Sequence, residues 1–241
     1  MKYLVVGLGN IGSKYAGTRH NIGFTVLDAL AEASNTAFST DRYGDVCQVR
    51  YKGRTAVLLK PSTYMNLSGN AVRYWMQKEK IEAGNVMVIL DDIALPFGTI
   101  RIRKQGNDGG HNGLRHINET LGTTAYPRLR FGIGGDFPKG MQVEYVLARW
   151  TPEEKAELPG YMKQALQAVY DFTTIGIDRT MNVHNTKKEP KPVEANEKTQ
   201  EKPAGKPADG NKTQEPAGEK GGDAEKGGGF LRNLLGKRSK S

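Results

Sequence analysis

A single cysteine, Cys47, stands among 241 residues. Without a second thiol there is no internal disulfide and no thiolate zinc cluster, which excludes the stapled secreted scaffold and the zinc finger and suits a reducing compartment. Long apolar runs are also missing. No window approaches the ~18 consecutive apolar residues of a membrane-spanning helix, and the apolar run at residues 3–8 stops at Gly9-Asn10 with no small-residue cleavage site. With a mean hydropathy of −0.59, these absences predict a cytoplasmic protein, neither inserted in a membrane nor secreted. There is no Gly-x-Ser-x-Gly elbow and no His-Glu-x-x-His pair, which removes two common hydrolytic machineries. Neither sign of charge dominates outright: 35 Lys and Arg against 26 Asp and Glu give +9 and a pI near 9.5, a basic balance that suits a polyanionic partner.

Apolar residues become scarce after about Asn185. From residue 187 onward Phe230 is the only aromatic, and 13 basic residues face 9 acidic ones, while residues 1–186 carry 22 and 17. Such a segment cannot bury enough apolar surface to offset the entropy of ordering it. We therefore expect a folded domain over 1–186, a disordered linker over 187–229 and a short basic amphipathic end over 230–241, where Phe230, Leu231, Leu234 and Leu235 recur at helical spacing beside Arg232, Lys237, Arg238 and Lys240.

Within residues 1–186 strand and helix signals alternate. Residues 3–7 and 86–90 are all-apolar runs of the buried-strand kind, and residues 46–51 and 55–59 flank a Lys52-Gly53-Arg54 turn as a hairpin. Helical periodicity covers 21–33, 67–80, 114–121 and 151–175, the last opened by Thr-Pro-Glu-Glu; residues 100–103 and 129–133 read as further strands. This alternation predicts a single three-layer α/β/α domain around a central mixed sheet.

Gly7-Leu-Gly9-Asn-Ile-Gly12 matches the dinucleotide-binding glycine pattern, yet it lacks that pattern's context. Residues 13–19 have no helical periodicity, and Asp28 lies inside the following helix instead of at the tip of a second strand. A nicotinamide cofactor is the rival reading this leaves weak. The same loop contains Asn10, Tyr15, Arg19, His20 and Asn21 at the carboxyl end of a buried strand, where open α/β sheets bind ligands. Asp91 ends another buried strand, and a carboxylate there needs a partner, for which a histidine is suited. Asn10, Asn66 and Asn112 add carboxamides in loops. Together these groups could activate a water and stabilise an oxyanion without a metal. Cys47 reads as a strand residue and Lys60 as an exposed loop lysine. Basic residues cluster nearby: Arg101, Arg103, Lys104, Arg115, Arg128 and Arg130. On an alternating strand Arg101 and Arg103 share a face, as a phosphate-binding rim or a solvated edge strand would require.

Six blocks in order, Gly7-Leu-Gly-Asn-Ile-Gly12, Tyr15-Ala-Gly-Thr-Arg-His-Asn-Ile-Gly-Phe24, Lys60-Pro-Ser-Thr-Tyr-Met-Asn-Leu-Ser-Gly69, Asp91-Asp-Ile-Ala-Leu-Pro-Phe-Gly98, Gly109-Gly-His-Asn-Gly-Leu114 and Arg128-Leu-Arg-Phe-Gly-Ile-Gly134, together resemble the bacterial peptidyl-tRNA hydrolase family. The resemblance implies a monomeric, cofactor-free α/β enzyme whose partner is peptidyl-tRNA, cleaving the ester between peptide and 3′ ribose and freeing the tRNA for translation. It implies that His20 is the water-activating base, Asp91 the carboxylate orienting it, and Asn10 a residue that discriminates peptidyl-tRNA from unblocked aminoacyl-tRNA. It places Tyr15, Tyr64, Asn66 and Asn112 on the substrate, and Arg103, Lys104 and Arg130 near tRNA phosphates. The chain departs from the family pattern at Ala94, where many members are acidic, at Gln105-Gly-Asn-Asp108 and in its tail, which we expect to bind RNA or the ribosome weakly. Because organellar relatives of this fold in plants assist intron splicing, a binding-only protein is the second alternative.

Overall fold

Seven strands and six helices fill residues 1–185, the part of the chain that the computed structural model describes. They are, in chain order, β1 (Lys2–Gly7), α1 (Ile22–Ala33), β2 (Ser39–Asp41), β3 (Gly44–Tyr51), β4 (Arg54–Pro61), α2 (Ser68–Glu79), β5 (Val86–Asp92), β6 (Ile100–Arg103), α3 (Asn112–Leu121), β7 (Arg128–Gly132), α4 (Gln142–Leu147), α5 (Pro152–Ile175) and α6 (Ile177–His184). The linker and amphipathic end expected over 187–241 lie outside the described residues.

The strands form one sheet in the order β2-β3-β4-β1-β5-β7-β6. Its middle, β4-β1-β5-β7, is parallel; β3 on one side and β6 on the other run antiparallel to it, and β2 pairs antiparallel with β3. The all-apolar runs of β1 and β5 lie at the centre because successive side chains point to opposite faces and both faces are covered. Tyr3, Val5, Leu58, Met87 and Ile89 pack against α1 and α5, while Leu4, Val6, Leu59, Val88 and Leu90 pack against α2 and α3. This is the expected three-layer arrangement with a mixed sheet. Among the described residues no helix is long and apolar enough to cross a membrane.

The glycines that imitate a nucleotide fingerprint serve packing. A Cβ on Gly7 would meet the Gly23 carbonyl oxygen at 2.3 Å, so the end of β1 and the first turn of α1 approach backbone to backbone. Between them the chain makes short 3-10 turns, and α1 starts only at Ile22.

Three elements were not anticipated. Strand β2 is three exposed residues with no apolar pattern, α4 has six residues, and α6 is set off from α5 by Gly176 at φ 80°. Lys60 is also not the exposed loop lysine expected. It lies in β4 with its side chain 17% exposed and its Nζ 2.7 Å from Asp28 Oδ1.

Candidate active site

Because β1 and β5 are parallel neighbours, their carboxyl ends open on the same edge of the sheet. The loop leaving β1 crosses that edge and carries Arg19, His20 and Asn21 in one 3-10 turn. This turn is anchored from behind by buried Arg19. Its guanidinium reaches the Arg149 carbonyl at 2.9 Å and Glu154 Oε2 at 2.7 Å, and lies over the rings of Tyr145 and Trp150. Glu154 also accepts from the Thr151 N–H, closing the capping box of α5. The turn bearing His20 is therefore tied to the start of the longest helix. Asn21 holds the other end of the loop: its Oδ1 accepts from the Asn10 N–H at 2.8 Å and its Nδ2 donates to the Asn10 carbonyl at 2.9 Å.

His20 Nδ1 lies 2.8 Å from Asp91 Oδ1, and His111 Nε2 lies 3.2 Å from the same oxygen. His111 caps α3, with its Nδ1 accepting from the Gly113 and Leu114 N–H groups at 3.2 and 3.4 Å. A nitrogen that accepts carries no proton, so the proton of neutral His111 sits on Nε2 and is donated to Asp91. Asp91 thus takes an N–H from each imidazole. Burial works to raise its carboxyl, but the hydrogen bonds from His111 and His20 outweigh it and hold Asp91 below the usual carboxylate range. With Nδ1–H given to Asp91, His20 keeps its Nε2 lone pair for another partner.

The three side chains place their ligand atoms within 4.8 Å of one another, as a metal site would. The donor set fits a metal poorly. Nε2 of His111 can ligate only by losing its proton, and Nδ1 then has none to give to a carbonyl or carboxylate, since it faces two N–H donors. Hydrogen-bond balance favours a proton network here.

The carboxamides converge on the same edge. Asn112 is the first residue of α3, directly after His111, and Asn66 lies exposed in the 3-10 turn Met65–Leu67 before α2. A Cβ on Gly113 would meet Met65 Sδ at 2.8 Å, and the Gly69 N–H donates to His116 Nδ1 at 3.0 Å, so the two turns are packed together. Asn10 and Tyr15 are half-buried, whereas Tyr64 is 73% exposed, beside Met65. Cys47 is buried in β3, and burial pushes its thiol up, away from nucleophilic use.

The basic cluster divides. Arg128, grouped above with the phosphate-facing residues, is 1% exposed, and its guanidinium donates to the carbonyls of Gly106, Asn107 and Thr124. It holds the 104–111 loop. Arg130 pairs with Asp92, and exposed Lys104 with Asp178 at 3.1 Å. Ile100 and Ile102 point into the core, so Arg101 and Arg103 share the opposite face of β6, which is the edge strand of the sheet. His111 is the residue to which sequence reasoning gave no role. The available signal was a histidine three residues before the helix predicted over 114–121, which in the structure starts at Asn112 and takes His111 as its N-cap acceptor.

The fold and this cluster define an α/β protein with a histidine–carboxylate site at the carboxyl ends of its central parallel strands. Comparison with known proteins makes that class specific. The chain matches the family described as Peptidyl-tRNA hydrolase over residues 4–192. It is 58% identical to the peptidyl-tRNA hydrolase of Cytophaga hutchinsonii, a match covering 78% of this chain and all of that one, and 55% identical to that of Porphyromonas gingivalis over 77% and 100%. The crystal structure of peptidyl-tRNA hydrolase from Acinetobacter baumannii superposes with a TM-score of 0.72 at 33% identity, covering 76% of this chain and 94% of that one. The chain belongs to the peptidyl-tRNA hydrolase family.

Proposed function

We propose that this protein's hydrolysis of peptidyl-tRNA proceeds by water attack on the ester carbonyl, with His20 Nε2 as the general base. As a member of its family the chain hydrolyses peptidyl-tRNA and releases the tRNA. The observation that carries the mechanism is the shared Asp91 oxygen, which accepts from both His20 and His111 and so makes Nδ1 the proton-bearing nitrogen of neutral His20 and Nε2 its basic one. A water bound there gives its proton to Nε2 as it attacks the ester carbon. The proton then passes to the departing ribose oxygen. Carboxamide N–H groups of Asn66 and Asn112 are donors suited to the developing oxyanion. Asn10, whose main chain Asn21 clamps on both sides, reads the blocked amino group in this mechanism. Tyr15 and Tyr64 offer aromatic faces to the terminal base or the peptide.

Arg103 is the phosphate contact we favour among the three basic candidates, because Lys104 and Arg130 are already paired with carboxylates. Residues 1–186 acting as one monomeric catalytic domain in the cytoplasm, away from membranes and without a cofactor, complete this reading. The deciding experiment is release of labelled N-acetyl-aminoacyl groups from tRNA, alongside unblocked aminoacyl-tRNA and the His20→Ala variant. Selective cleavage that vanishes in the variant supports the mechanism. Undiminished cleavage by the variant removes His20 from it, and no cleavage by the parent with salt-dependent tRNA binding leaves a binding protein.

A further inference from the structure

His20 stands on a turn too short to hold itself. Residues 19–21 make one 3-10 turn, and among the described residues the His20 ring has one hydrogen-bond partner, Asp91, with the His111 ring 5.1 Å away. The direction of the imidazole is therefore set by where the main chain of the turn lies.

That main chain docks on the segment joining α4 to α5. The Arg19 N–H donates to the Ala148 carbonyl at 3.0 Å, Thr18 forms an antiparallel bridge with Arg149, and the Arg19 guanidinium reaches the Arg149 carbonyl and Glu154. The segment is in turn fixed to the strands that carry the site. The Tyr145 hydroxyl donates to the Ile133 carbonyl at 2.6 Å, just past β7, and the Trp150 ring lies 5.4 Å from that of Phe97, in the loop leaving β5 after Asp91. A closed circuit results, from Asp91 through Phe97, Trp150 and Arg19 to His20, and back across the 2.8 Å hydrogen bond. Both members of the pair take their positions from one platform.

The Arg19 side chain is 6% exposed and its buried Nε has no partner among the described residues. A buried ion pair gains little net stability, because desolvation offsets most of the attraction; what a planar guanidinium fork gains is direction. We propose that Arg19 and Glu154 are a positioning pair for the hydrolysis, with Glu154 at the head of α5 fixing the angle at which His20 meets Asp91 and the attacking water. This rests on the reading of His20 as the base. A displacement of about 1 Å at a reacting group can cost about 10²-fold in rate, so the effect falls on turnover and spares substrate affinity, which rests on other side chains. Glu154 Oε2 serves two donors, Arg19 and the Thr151 N–H, and substitution separates them. Glu154→Gln retains a capping-box acceptor and removes the charge opposite Arg19, whereas Thr151→Ala removes the cap side chain and leaves the pair.

The test measures kcat and KM for N-acetyl-aminoacyl-tRNA with the full-length enzyme and its Arg19→Met, Arg19→Lys, Glu154→Gln, Thr151→Ala and combined Arg19→Met, Glu154→Gln variants, each well below its thermal midpoint. Arg19→Met and Glu154→Gln are expected to lower kcat by about 30-fold to 100-fold with KM within about twofold. The combined variant should fall no further than the slower single one, as two parts of one unit do. Arg19→Lys should recover part of the loss, since an ammonium can pair with Glu154 without also reaching the Arg149 carbonyl. Thr151→Ala should lower the thermal midpoint and keep the parental kcat. Parental kcat in Arg19→Met and Glu154→Gln, or losses that add in the combined variant, overturns the proposal. So does a loss of kcat in Thr151→Ala as large as theirs, which would make the effect one of helix stability. If Arg19→Met does not fold, Glu154→Gln and Thr151→Ala decide alone. His20→Ala, assayed in parallel, keeps the two readings apart: a parental rate there removes the base, whereas an inactive His20→Ala beside fully active Arg19→Met and Glu154→Gln removes only the positioning pair.

Discussion

At Asp91 two hydrogen bonds outweigh the cost of burial, and in the proposed mechanism the reactivity of the site depends on that balance. Replacing Asp91 by Asn keeps the size but leaves a neutral acceptor that no longer favours Nδ1–H on His20. The rate on blocked aminoacyl-tRNA is expected to fall by about 10²-fold, less than in His20→Ala, through the lost tautomer and orientation. Steady-state kinetics check this, and a parental rate would remove the pairing. His111 does two jobs that substitution can separate. Asn is a good N-cap but too short to replace the Nε2–H donated to Asp91, so His111→Asn should keep the thermal midpoint and lower kcat. His111→Ala should lose about 1 kcal/mol as well. If both variants unfold alike, the cap is not what His111 contributes. The His20 and Asp91 pair was legible in the sequence because each lies at the end of an apolar strand or the start of a helix. His111 was not, because its second partner comes from a strand 20 residues earlier and only the packed α3 brings the two together.

Among the elements, the segment from β6 to α3 shows why charge alone misleads. Arg101 and Arg103 were expected to share a face and do; Arg128, from the neighbouring strand, looks equivalent in the sequence but is spent on three loop carbonyls. Arg128→Met should orphan those carbonyls and destabilise the fold by about 3 kcal/mol, whereas Arg103→Ala should leave stability within about 0.5 kcal/mol and raise KM. Thermal unfolding beside KM distinguishes them, and equal stability in the two variants would refute the assignment. Elements with full apolar periodicity, such as α1, α2 and α5, were readable along the chain because a buried face imposes a period. Strand β2, α4 and α6 were not, since they are short and held by neighbours more than by their own pattern.

For the whole molecule, the depressed Asp91 carboxyl links stability to pH. Its folded-state pKa lies below the ~3.9 of an unfolded aspartate, so the unfolded chain takes up a proton first as pH falls. The stabilisation is fully present above about pH 5 and is lost as the solution is acidified toward the folded value. The difference in urea midpoint between the parent and Asp91→Asn should therefore be level from pH 5 to 8 and shrink below pH 4. A difference that grows on acidification would contradict the sign.

By itself the sequence determined the class of the molecule. Apolar runs of five residues had to be central strands and the polar loop after the first had to open at the sheet's carboxyl edge, because burial and its period are properties of the chain. Only the tertiary structure decided the strand order, which arginines face outward, and that one Asp91 oxygen serves two histidines. Those are relations between residues far apart in sequence, and they come into being when the sheet and its two helical layers close around a common core.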